Sequence, residues 1–113
     1  MPESMGRGAL TEAVYFILLS LYRPMHGYAI MRQIRDMSDG RVILGPGTLY
    51  GAINTILDKG WIASLDEPVS TKKRAYVITD IGKAIVEEEI CRLEQLVNIG
   101  VKVAGGENHE NNI

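Results

Sequence analysis

The sequence predicts a mainly helical α+β fold, on three observations. Four stretches carry apolar residues at helical spacing, beginning near Thr11, Gly27, Pro46 and Thr79. Two short runs rich in β-formers, 61–66 and 73–79, flank the turn-forming segment Glu67-Pro68-Val69-Ser70-Thr71 and read as a hairpin. The resulting order is helix, helix, helix, hairpin, long helix, the order of a winged helix-turn-helix with a two-stranded β-wing. Residues 8–79 make up that unit, 80–104 form a long C-terminal helix, and the small, polar tail 105–113 is expected to be disordered.

The first helix opens behind Thr11, a good N-cap residue, with Glu12 where an anion meets the positive end of the helix dipole. Ala13, Val14, Phe16, Ile17, Leu18 and Leu21 leave it apolar on nearly every side. A helix apolar all round is buried all round. In a small domain that predicts its own core on one side and a second subunit on the other. Arg23-Pro24 is expected to end it, because proline pushes the preceding residue out of helical geometry. The second helix runs from about Gly27 to Met37, with Ile30, Met31, Ile34 and Met37 on one face. Ser38-Asp39-Gly40 is a turn, and residues 41–44 read as a very short strand.

Gly45-Pro46-Gly47 announces the third helix, since proline suits the first helical position. Leu49, Ile53, Ile56 and Leu57 form its inward face, and Gly60 closes it. The opposite face, with Gly47, Thr48, Gly51, Asn54, Thr55 and Asp58, is small and polar. The fourth helix starts behind Thr79. Val86, Ile90, Leu93, Val97 and Gly100 or Val101 lie along one side at coiled-coil spacing, and Ile81, Ile85, Leu96 and Val103 widen that stripe. A stripe this long exceeds what the preceding body can cover. Val14, Ile17, Leu18 and Leu21 on the first helix, and Val86, Ile90, Leu93 and Val97 on the last, are therefore the expected dimer interface.

A chain of 113 residues has room for one domain with a thin core, and many such domains gain stability by pairing. The 46% apolar and 23% charged fractions are those of an ordinary globular protein. No run reaches the roughly 18 apolar residues of a membrane span. The start MPESMGRGAL lacks the layout of a secretion signal, so the cytoplasm is the expected location. The single cysteine, Cys91, excludes an internal disulfide and is expected to be an inert buried thiol beside the seam. His26, His109 and Cys91 show no metal-ligand spacing, no nucleophile stands beside a base, and no cofactor is expected. The net charge of −2 hides an asymmetry: residues 1–79 carry nine basic and seven acidic side chains, and residues 80–113 carry three and seven. A mildly basic body with an acidic last helix fits a DNA-facing unit joined to a partner-facing one.

In a helix-turn-helix the second helix enters the major groove with its N-terminal half. Here that half reads Pro46-Gly47-Thr48-Leu49-Tyr50-Gly51. Thr48, Asn54 and Thr55 can hydrogen-bond base edges or phosphates. Gly47 and Gly51 have no side chain to hold the backbone off the DNA. The hairpin tip Lys72-Lys73-Arg74 is placed to follow the adjacent phosphates and release counterions. Tyr50, at the edge of the inner face, and Tyr28, near the start of the second helix, divide between phosphate contact and plain packing, and Tyr76 reads as hairpin packing.

The runs His26-Gly27-Tyr28-Ala29-Ile30, Gly47-Thr48-Leu49-Tyr50, Lys59-Gly60-Trp61-Ile62, and Arg74-Ala75-Tyr76-Val77-Ile78-Thr79 with Gly82 resemble the PadR-type transcriptional regulators over roughly residues 8–100, in the short branch with a single last helix. The resemblance implies a homodimeric repressor, paired through its first and last helices, on a double-stranded DNA operator near its own or a neighbouring gene. It also implies a small-molecule effector, where one acts, seated between subunits. Two departures stand out. Gly51 replaces the proline that often follows Leu-Tyr in the family. The last helix carries no aromatic residue, so the drug pocket built on a tryptophan there does not carry over. The acidic balance also leaves a second reading, a winged-helix module that binds protein rather than DNA.

Overall fold

The computed structural model describes residues 8–65 and 74–105. Thr11 caps α1 (Glu12–Ser20), its hydroxyl oxygen accepting from the Val14 amide at 3.1 Å. The helix stops earlier than Arg23-Pro24 signalled. The Leu21 amide bonds back to the Ile17 and Leu18 carbonyls, while the Leu21 carbonyl accepts from the Ile78 amide at 2.8 Å and so ties the helix end to a strand. Beyond Pro24, Met25–His26 form β1, which pairs antiparallel with β3 (Ala75–Ile78) in the register Met25↔Tyr76 and His26↔Ala75. β2 (Ile62–Leu65) lies on the other side of β3, from Ile62↔Ile78 to Leu65↔Ala75. The expected two-stranded wing is thus part of a three-stranded antiparallel sheet of order β1-β3-β2.

α2 (Gly27–Met37) buries Ile30 and Ile34 completely, and Met31 is half-buried, whereas Met37 at its end is exposed. Asp39 and Gly40 turn left-handed at φ 53° and 78°, and the Gly40 amide reaches the Arg35 carbonyl at 2.8 Å. The strand expected at 41–44 does not form. The segment has no strand partner, and Ser38 holds it instead: the Ser38 hydroxyl accepts from the Val42 amide at 3.0 Å and donates toward the Val42 carbonyl at 3.3 Å. α3 (Pro46–Asp58) follows with Gly45 as N-cap, and Leu49, Ile53 and Ile56 are fully buried. Gly60, at φ 77°, lets the Trp61 amide bond back to the Ile56 carbonyl at 3.0 Å.

Thr79 joins hairpin to last helix. Its hydroxyl donates to the Gly60 carbonyl at 2.6 Å and accepts from the Gly82 amide at 3.1 Å, capping α4 (Asp80–Gly100). A π-helical turn, Val101–Gly105, continues it. One core gathers Ile17, Leu18 and Leu21 with Ile30, Ile34, Leu49, Ile53, Ile56, Ile62, Tyr76, Ile78 and Val86. Ile17, Leu18, Leu21 and Val86 are therefore core residues of the single chain, at 0–1% exposure, with no surface to offer a second copy. Val14 is half-buried against the same core. Of the residues expected at an interface on α1 and α4, Val14 and Leu93 are half-buried, Ile90 is 39% exposed and Val97 60%. Cys91, expected to be buried, is exposed.

Candidate nucleic-acid interface

The outward face of α3 is open from end to end. Gly47, Thr48, Gly51, Asn54 and Thr55 are all exposed. A Cβ added at Gly45, Gly47 or Gly51 would meet nothing within 4 Å. A backbone with open space in front of it lets a phosphate or a base edge come close. The Thr55 hydroxyl donates to the Gly51 carbonyl at 3.1 Å, which leaves its oxygen as an acceptor and takes away its donor. The first turn of α3 holds no acidic side chain, so no carboxylate of its own competes for the helix-start amides.

The two tyrosines separate. Tyr28 is 67% exposed in the first turn of α2. Tyr50 is half-buried, and its phenol ring lies over Gly27: a Cβ there would collide with Tyr50 Oη and stand 2.7 Å from Cζ. Gly27 is thus the seat on which Tyr50 packs α3 against the start of α2. Arg74 is half-buried where β3 begins, and Tyr76 packs in the core. Lys72 and Lys73, and the tail from residue 106, lie outside the described residues.

Two ion pairs that brace these elements escaped the sequence reading. Arg41, just before α3, makes a two-pronged bond to Glu12 at the start of α1, 3.1 Å to Oε1 and 3.0 Å to Oε2. It ties the segment leading into α3 to the neighbouring helix. Glu89, on α4, is only 2% exposed; it takes Arg92 Nε at 3.0 Å and the Leu10 amide at 3.4 Å. Helical spacing could have singled out Glu89 among the consecutive Glu87-Glu88-Glu89, since it stands three residues after the buried Val86 and three before Arg92.

The Glu12–Arg41 pair makes a testable pH statement. Hydrogen bonding to Arg41, with the charge of that guanidinium, holds the Glu12 carboxyl below the usual carboxylate range. A folded pKa below the unfolded one stabilises the fold above the unfolded value, and the gain is lost as acid protonates the folded carboxyl. Carboxyl titration followed by NMR should give Glu12 a midpoint below that of an ordinary glutamate side chain. In Arg41→Gln that midpoint should return to the ordinary range. An unchanged midpoint would show that the pair does not form.

Along the side of α4 runs an open groove of about 530 Å³, lined by Tyr15, Ile90, Leu93, Glu94, Val97 and Asn98. Among the described residues, no cluster of His, Cys, Asp and Glu could hold a metal ion, and no helix is long and apolar enough to cross a membrane.

Residues 17–88 match the model of the transcriptional regulator PadR-like family. An uncharacterised 37.1 kDa protein from a transposon of Streptomyces fradiae is 36% identical over 73 residues, which cover 65% of this chain and 20% of that protein. The chain thus spans about a fifth of that relative's length. A transcriptional regulator from Clostridium thermocellum superposes with a TM-score of 0.68 at 20% identity, covering 90% of this chain and 97% of the other. Bacillus subtilis PadR, solved in complex with operator DNA, superposes with a TM-score of 0.59 at 21% identity over 70% of this chain and 46% of its own.

Proposed function

The chain belongs to the PadR-like family of transcriptional regulators, and from that premise we propose that it acts as a homodimeric repressor on a roughly palindromic operator beside its own or a neighbouring gene. The observation that carries the DNA contact is the outward face of α3, where Gly47, Thr48, Gly51, Asn54 and Thr55 are exposed together and three glycines from 45 to 51 face open space. That face lies in the major groove, with Thr48 and Asn54 on base edges. Tyr28 and the tip residues Lys72, Lys73 and Arg74 follow the phosphates on either side. Tyr50 contributes by packing: it fixes α3 against Gly27 and leaves the contact itself to its neighbours. An effector, where one acts, enters the groove beside Tyr15 and Val97, which a second subunit would roof.

Electrophoretic mobility shifts with the gene's own upstream duplex test this reading. Binding should weaken steeply with salt. Lys73→Ala should weaken all duplexes alike and lower the salt slope by about 0.9 for each phosphate it no longer neutralises. Asn54→Ala should in addition lose about 1–3 kcal/mol of preference for the specific site. A dimer without salt-sensitive binding, there or on genomic fragments, would favour a module that binds protein.

A further inference from the structure

Among the described residues, the most exposed large apolar side chain is Ile43, at 71%. Most of the other exposed large apolar side chains lie on α4 or the turn that follows it, but Ile43 stands two residues before Gly45, the N-cap of α3. Its orientation is fixed by its neighbours. Val42 and Leu44 are half-buried against the core. Ile43, between them, is exposed and so is turned away from that core. The segment is braced on both sides. Ser38 holds the Val42 backbone, and Arg41 is clamped to Glu12 by two hydrogen bonds. Two and four residues further on, Gly45 and Gly47 have open space where their Cβ atoms would be.

We propose that Ile43 is a specificity-determining residue that seats its aliphatic side chain against the 5-methyl group of a thymine in the major groove. The proposal rests on the reading of α3 as the groove-entering helix. Among the four bases only thymine presents a methyl group on its major-groove edge. An aliphatic group pressed on the donors and acceptors of the other bases would strip their water without replacing it, at a cost. Thr48 and Asn54 have hydrogen-bonding groups for those other positions, and Ile43 adds an apolar reader that the polar face of α3 lacks.

The test replaces thymine by uracil, one position at a time, in a duplex that the full chain has selected from a random-sequence pool. Uracil keeps every hydrogen-bonding group and lacks only the methyl. With the parent chain, at least one uracil per half-site should weaken binding about fourfold, the worth of one buried methyl group. With Ile43→Ala that penalty should vanish, while penalties elsewhere persist; Ile43→Leu should restore part of it. Thermal melting of both variants should match the parent, since the side chain is largely solvent-exposed. A uracil map without penalties in the parent, or the same map in Ile43→Ala, overturns the role of Ile43 and leaves DNA binding standing. Failure to select any duplex in a salt-sensitive way overturns the DNA reading and this proposal together.

Discussion

Replacing Gly82 by alanine is expected to destabilise the fold by about 2–3 kcal/mol, although the same change inside an ordinary helix stabilises by about 1 kcal/mol. Gly82 lies in the first turn of α4 and is buried. A Cβ there would collide with the Trp61 carbonyl oxygen and stand 2.7 Å from Ile78 Cγ1. Neither obstacle moves easily. The Trp61 carbonyl is held by the Thr79 amide at 3.0 Å, and Ile78 belongs to the sheet and the core. Alanine therefore has to lift α4 off the hairpin, at the junction that Thr79 fastens through the Gly60 carbonyl. For a chain of this size the loss corresponds to a drop in melting temperature of roughly 10–20 °C. Gly51→Ala is the matching control. It is also a helical glycine, but its Cβ would meet open space, so a gain of about 1 kcal/mol is expected. A Gly82→Ala protein melting at or above the parent temperature would mean that α4 does not approach the hairpin this closely.

The contrast between these two glycines shows what the sequence could and could not disclose. Signals acting within a few residues were readable: the caps Thr11 and Thr79, the proline start of α3 and the left-handed Gly60 stand where they were expected. Facts created by distant segments were not. β1 is only two residues long, too short for any alternation, and exists because Tyr76 and Ala75 come alongside. A periodic pattern finds the apolar residues of the first helix without saying which of them the chain itself covers; Ile17, Leu18 and Leu21 turned out to be fully buried in the chain's own core, which draws on α2, α3, α4 and the sheet. Residues 41–44 hold β-forming side chains yet find no strand to pair with, and Ser38 satisfies Val42 instead. The outward face of α3 was legible because it needs only helical spacing and the absence of large side chains. Its bracing by Glu12 and Arg41, from separate segments, was not.

Charging the far end of α4 is expected to separate the proposed dimer and, with it, high-affinity DNA binding. The body buries Gly82, Val86 and Glu89 on one side of α4. Past the body, Leu96, Val97, Ile99, Val101 and Val103 are between 52% and 64% exposed. A run of apolar residues this long marks an interaction surface, and in the proposed dimer a second copy, bringing the same strip in two-fold symmetry, would cover it without any further partner. Val97 and Val101 are four residues apart, on the flank continuous with Leu93 and Ile90. Aspartate at both would place four unpaired carboxylates in a symmetric interface, each costing several kcal/mol to desolvate. Sedimentation should then show a monomer at micromolar concentration where the parent is a dimer. Both side chains are 60% exposed in the single chain, so its core loses nothing directly. Two half-sites read by unlinked monomers lose the effective concentration that linkage supplies, and affinity for the full operator should fall by about 10²–10⁴-fold. A variant that stays dimeric would place the interface elsewhere. One that becomes monomeric yet binds the full operator as tightly as the parent would show that α3 acts without pairing. If the separated chain also melts far below the parent, burial of this strip is part of what holds each subunit folded, as in obligate dimers whose stability rises with protein concentration.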